Sequence, residues 1–263
     1  MRNADVAFDD AAGYERFMGQ WSRAIGMVFL DWIAPSAGAR WLDIGCGTGV
    51  FTKLVLDTAS PATIVAIDPA QTQIDHACKQ EAMAGQVEFR IAGAQDLPFP
   101  ERDFDVVVAA LVINFVPDRA RALKEMHRVC RSGGTVAAYV WDFAAERSMA
   151  WPLVRAMKQS GVECPRFPGQ DDSSVAALHS LFEHAGFREI TTRSIEVTMA
   201  FPSFDELWRS QAPPFSSHGR VIAAQPEAVR KQIIDALRLL LPVQPDGGVA
   251  VHARANAVKA LTP

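Results

Sequence analysis

The sequence is poor in the features that define several protein classes. Its four cysteines, Cys46, Cys78, Cys130 and Cys164, are scattered and form no CxxC pair. That excludes a zinc ribbon and a disulfide framework. HExxH is absent, and His179 and His184 stand five apart, a poor spacing for two metal ligands on one helical face. No run of Lys and Arg is long enough to grip nucleic acid or an anionic membrane, and the net charge of -4 argues the same way. The longest apolar stretch, residues 106–116, is interrupted by Asn114 and is too short to span a bilayer. The opening MRNADVAFDDAAGYERF is charged and lacks the apolar core of a signal peptide. Internal repeats and low-complexity segments are missing too. These absences predict a cytoplasmic protein with neither a nucleic-acid nor a membrane partner, and they carry no signal of oligomeric state.

What is present suits a globular enzyme. The chain has 263 residues, 49% hydrophobic and 21% charged, long for one domain and short for two. Residues 14–34 place Met18, Trp21, Ile25, Val28, Phe29 and Trp32 at helical spacing. From residue 41 the pattern alternates. Strands are expected at 41–44, 62–67, 87–91, 104–110 and 135–141, and helices at 50–57, 72–84 and 119–129, the last closed by Ser132-Gly133-Gly134. Such βα alternation implies a doubly wound, Rossmann-like, mostly parallel sheet. After Asp142 the rhythm changes. Residues 145–189 hold helical segments, 190–199 reads as a strand, Ser203 to Glu206 as a capping box, 226–241 as an amphipathic helix, and 249–260 as an antiparallel last strand with His252, Arg254 and Asn256 on one face. The expected organisation is an N-terminal helical cap over 1–40, a cofactor-binding core over 41–144, and over 145–263 the completion of the sheet with a helical insertion that caps the substrate.

The stretch WLDIGCGTGVF, residues 41–51, carries the chemistry. Its glycines follow Gly45-x-Gly47-x-Gly49, and Val50 stands where a dinucleotide fingerprint has its third glycine. A pyrophosphate at such a loop would meet Asp43, two residues upstream of Gly45, and be repelled. The loop suits a cationic or zwitterionic ligand that needs close backbone approach. S-adenosylmethionine has those charges and no phosphate. Asp68, closing the second strand, can accept both ribose hydroxyls, and Asp96, in AQDLPF after the third strand, can accept from the adenine amino group.

These residues resemble class I S-adenosylmethionine-dependent methyltransferases of the methyltransferase type 11, ubiquinone-biosynthesis-like group. The resemblance rests on LDIGCGTG, Ile67-Asp68-Pro69, residues 94–99, residues 104–107 with 115–118, and LKEMHRVCRSGG, and covers about residues 10–145. Ser132 replaces the proline that is common there. The resemblance implies that Asp43, Gly45, Cys46, Gly47, Asp68, Pro69, Ala94, Gln95 and Asp96 hold the cofactor, with S-adenosylhomocysteine as product. In the N-terminal helix, Tyr14, Met18 and Trp21 are expected to form a lid over the cofactor's methionine end, where Arg16 or Arg23 could pair with its carboxylate.

Other residues read more plainly. Cys46 is a small residue tolerated in the loop, not a nucleophile. Asp105 is structural, and Trp32, Trp151 and Trp208 are packing. Residues 114–117, NFVP, do not make the [DN]PP[YFW] motif of nucleic-acid amino-methylating enzymes, and residues 110–115 lack the carboxylates of metal-dependent catechol-type enzymes. The reading is a metal-independent enzyme acting on a small molecule. Its base is not assigned; His218, Tyr14, Asp142 and Arg209 are the candidates. Two alternatives stay open: an NAD-binding oxidoreductase and a non-catalytic S-adenosylmethionine-binding protein.

Overall fold

The structure is a computed structural model. It describes the backbone of residues 11–263 except 167, 168, 215 and 246, and side chains from Met18 onward with the same exceptions. A helix α1 (Ala11–Ile33) leads into alternating β1 (Arg40–Ile44), α2 (Val50–Thr58), β2 (Thr63–Asp68), α3 (Gln71–Cys78), β3 (Val87–Ile91), β4 (Phe104–Ala110), α4 (Arg119–Val129) and β5 (Cys130–Trp141). Then follow α5 (Trp151–Gln159), α6 (Val175–His184), β6 (Arg188–Phe201), α7 (Phe204–Gln211), α8 (Ser217–Ala223), α9 (Glu227–Leu240) and β7 (Val249–Leu261). The seven strands form one sheet in the order β3-β2-β1-β4-β5-β7-β6. Neighbours from β3 to β5 pair parallel, and β7 runs antiparallel to both β5 and β6. Among the described residues no helix is long and apolar enough to cross a membrane.

The central strands are apolar on both faces because both faces are covered. In β4, Val106 and Val108 join one core cluster while Val107 and Ala109 join the other. The first cluster takes in residues of α1, α5, α7 and α9, and the second those of α4 and α6. Asp105 is structural: it accepts from the Arg40 amide at 2.7 Å and pairs with Arg131 at 2.7 Å. The order β2-β1-β4 puts a crossover reversal between β1 and β4, so a crevice opens at their C-terminal ends.

Several elements depart from their expected form. The helix expected over 72–84 stops at Cys78, and a single 3-10 turn, Glu81–Met83, follows. Gln80 leaves the helix with φ -77° and ψ 103°, and its side chain donates to the Thr48 carbonyl at 2.7 Å, tying the segment to the glycine loop. The Ser132-Gly133-Gly134 turn is drawn into β5, where a Cβ on Gly134 would stand 2.9 Å from the Asp105 carbonyl. The helix α8 was not anticipated. It has only seven residues, capped by Ser216, which accepts from the Gly219 amide. A segment so short carries too few turns to display a period.

The lid expectation needs correction at Trp21. The residue is 1% exposed and packs edge-on against Trp141 with ring centroids 5.9 Å apart. It belongs to the core with Ile25 and Phe29. Trp21→Ala should therefore cost ~3–5 kcal/mol of folding free energy, measured by urea denaturation of the ligand-free protein. A lid residue would leave that free energy unchanged.

Candidate cofactor site

The glycine loop leaves β1 at Ile44 and enters α2 at Val50. Gly45, Gly47 and Gly49 have φ of 71°, 54° and 87°, the left-handed region open to glycine. Space makes the same demand at two of them. A Cβ on Gly45 would lie 2.5 Å from Val112, and one on Gly49 2.7 Å from Met83.

Four of the loop's five amides donate inside the protein. Gly45 and Cys46 both donate to the Ile67 carbonyl, at 2.7 and 2.9 Å, and Gly49 donates to Cys46 at 2.9 Å. The Gly47 amide donates to Asp68 Oδ2 at 3.0 Å, while Ala70 donates to Oδ1 at 2.8 Å. Burial raises the Asp68 carboxyl, opposed by these two bonds. Each oxygen keeps a second lone pair for an outside donor.

Asp43 is more constrained. It is 1% exposed, and its Oδ2 accepts from the Thr52 hydroxyl at 2.6 Å. Its Oδ1 is buried without a hydrogen-bond partner. Burial pushes this carboxyl up to about 7; the Thr52 bond lowers it, and the charge of Asp68 raises it further. Asp43, Gly45, Cys46 and Gly47 line a small cavity of about 50 Å³ whose far side is Met18, Gly19 and Ser22 of α1. A buried carboxylate oxygen without a donor, in a cavity, is left to be satisfied by an outside donor or cation.

The remaining expected residues sit as follows. Cys46 is buried, and burial drives its thiol well above its usual value, so it is no nucleophile. Pro69 is exposed between Asp68 and α3. Ala94 is buried, Gln95 half-buried and Asp96 exposed, all in the turn after β3. The Ala92 amide donates to the Asp68 carbonyl at 3.2 Å, which holds that turn beside the end of β2. Trp21 lines neither this cavity nor its neighbour, and Arg23 is exposed. The side chains of Tyr14 and Arg16 lie outside the described residues.

A second cavity of about 400 Å³ adjoins the first, and Met18 and Leu111 line both. Leu111 has φ 61°, rare for a bulky residue, and its amide is anchored to the Tyr139 carbonyl at 2.8 Å. Trp151, read from the sequence as packing, lies on the wall of this cavity, as does His218. Two base candidates fall away. Asp142 is buried in an ion pair with Arg254, with contacts of 2.7 and 2.6 Å, and also accepts from Ala145. Arg209 is exposed and pairs with Glu206. Leu111 and Tyr139 escaped the sequence reading because apolar or aromatic residues at strand ends look like core. The only available signal was the position of Leu111, directly after β4 at the crossover reversal.

Comparison with known proteins agrees with this geometry. A family model described as a methyltransferase domain matches residues 42–138. The chain is 34% identical over 164 residues to the O-methyltransferase rstn1 of Aspergillus nomiae, covering 61% of this chain and 69% of that protein. Further curated relatives are matched over less than half of their own length. Among solved structures, the YcgJ protein of Bacillus subtilis superposes with a TM-score of 0.60 at 16% identity, covering 92% of this chain and 98% of that one. A phosphoethanolamine N-methyltransferase of Haemonchus contortus, in complex with S-adenosylhomocysteine, gives 0.62 at 14% identity, covering 98% of this chain and 58% of that one. The chain belongs to the class I S-adenosylmethionine-dependent methyltransferases. Its cofactor is S-adenosylmethionine.

Asp43 gives the site a testable pH dependence. Its folded value near 7 lies above the ordinary 3.8, so below pH 7 the ligand-free protein carries a proton there. A cation seated against Oδ1 needs the carboxylate and must expel that proton. Affinity for S-adenosylhomocysteine should fall roughly tenfold from pH 7.5 to 6, read by calorimetry, and Asp43→Asn should abolish the slope. An affinity that stays flat over this range contradicts a cation at Asp43.

Proposed function

We propose that this methyltransferase transfers its methyl group to a small-molecule acceptor, without a metal ion, and that the acceptor occupies the 400 Å³ cavity. The observation that carries this reading is the shared wall: the cavity meets the glycine-loop pocket at Met18 and Leu111. A cavity of this size suits a metabolite, not a polymer. The relative in Aspergillus nomiae is named an O-methyltransferase, and the Haemonchus contortus structure holds phosphomonomethylethanolamine, a small molecule. Both names favour the same class.

In this reading Asp43 holds the cofactor's ammonium, Asp68 accepts the ribose hydroxyls, and Asp96 accepts from the adenine amino group, with Ala94, Gln95 and Pro69 around the ring. The cofactor supplies an already activated methyl group, so the protein's task is alignment and exclusion of water. Residues Met18, Gly19 and Ser22 support a covering role for α1 over the methionine end. The NAD-binding alternative is disfavoured by the loop itself: the amides of Gly45, Cys46, Gly47 and Gly49 already donate to protein acceptors, leaving little for a pyrophosphate.

The test is the destination of the label. The protein is incubated with methyl-labelled S-adenosylmethionine and a cell extract, and the extract is then fractionated. The expected result is label in the organic-extractable small-molecule fraction. Label in protein or nucleic acid would contradict the small-molecule reading, and no label anywhere would favour the non-catalytic alternative.

A further inference from the structure

Phe115, Trp141, Phe143, Met149 and Trp151 give the larger cavity a wall of rings and thioether. Trp151 is held in place by its Nε1, which donates to the His252 carbonyl at 2.7 Å. The charged residues around this space are exposed and of both signs. Lys158 pairs with Glu146, Arg166 pairs with Asp171, and Glu163 and Arg220 carry opposite charges. Charge therefore stays at the mouth.

The titratable groups that are not exposed are Cys164 and His218. Burial raises the Cys164 thiol and pushes His218 down to about 4, so both are uncharged at neutral pH. A phosphate or ammonium headgroup entering here would shed its water without meeting a counter-charge. A flat, uncharged ring system would meet ring faces and sulfur instead. The imidazole on that wall, carried by α8, is a weak base there, so it receives a hydroxyl proton only as the oxygen–methyl bond forms and the proton becomes acidic.

We propose that the cavity takes a neutral, ring-bearing hydroxyl compound as methyl acceptor, and that His218 receives the proton of that hydroxyl. The inference rests on the small-molecule reading above and narrows it. The acceptor's oxygen forms its bond to the methyl carbon as the carbon–sulfur bond breaks. The sulfur keeps that electron pair, and the hydroxyl proton passes to the imidazole and then to water. His218 is then the general base that the sequence could only name among candidates.

The experiment uses the full chain loaded with S-adenosylhomocysteine, titrated in a calorimeter with 1-naphthol and with 1-naphthyl phosphate. The naphthol should bind at least about tenfold more tightly, since the phosphate brings charge into an apolar space. Val154→Trp, which fills the cavity from α5, should remove naphthol binding and leave S-adenosylhomocysteine affinity unchanged. Methyl transfer from S-adenosylmethionine to 1-naphthol should fall about 100-fold in kcat in His218→Asn at unchanged naphthol affinity. Pentafluorophenol, already ionised at neutral pH, should bind more weakly than the naphthol, but at saturating acceptor its kcat should be nearly spared in the variant. The proposal is overturned if the phosphate binds as tightly as the naphthol, if Val154→Trp leaves naphthol binding intact, or if His218→Asn slows both acceptors equally. Label from S-adenosylmethionine found in protein or nucleic acid of a cell extract, and none in small molecules, would instead strike the small-molecule reading on which this one stands.

Discussion

One hydrogen bond organises the centre of this molecule. The Gly47 amide donates to the Asp68 carboxylate at 3.0 Å, joining the loop after β1 to the end of β2. It fixes the direction of a buried carboxylate, and it removes from the loop the amide that would otherwise face an anion. The glycines around it are required by backbone conformation and by the approach of Val112 and Met83. A loop whose sequence resembles a phosphate cradle thus becomes one that turns its donors inward. What it presents to the cavity is the negative charge of Asp43.

Burying Asp43 without a partner for Oδ1 is costly in the ligand-free protein, and the rise of its carboxyl to about 7 expresses that cost. Such a group is tolerated where a ligand repays it. The ligand proposed for this pocket brings a cation to Asp43 and hydroxyls to Asp68. Next to this pocket, Leu111 is held in the left-handed region by the end of β4 and by the Tyr139 carbonyl. With Met18 it lines both the pocket at Asp43 and the apolar one. The molecule therefore sets two unlike environments side by side, as a transfer reaction between unlike partners requires.

Much of this was legible in the order of residues. The strands β2 and β4 and the second half of β5 have near-continuous apolar runs because helices cover both faces of the sheet there, and Asp43 and Asp68 stand near strand ends where side-chain periodicity stops. The Ser203 cap read as it stands, with Glu206 donating back to it. Other features depend on partners far away in the chain. Asp142 looked like a free base until Arg254, on β7, paired with it. Trp21 looked like a lid until Trp141 filled its edge. The helix over 72–84 was periodic enough to predict, but its backbone leaves the helical path after Cys78, and the Gln80 side chain ties the segment to the Thr48 carbonyl. His218 could be named but not placed, because α8 is shorter than the pattern needed to detect it.

The central claim is that the glycine loop is built for a cationic, phosphate-free cofactor. Calorimetric titration of one protein preparation with S-adenosylhomocysteine and with NAD tests it most directly. The account predicts saturable binding of S-adenosylhomocysteine and no measurable heat from NAD. Comparable affinity for the two would contradict it, since the amides of Gly45, Cys46, Gly47 and Gly49 would then have to leave their protein acceptors to meet a pyrophosphate.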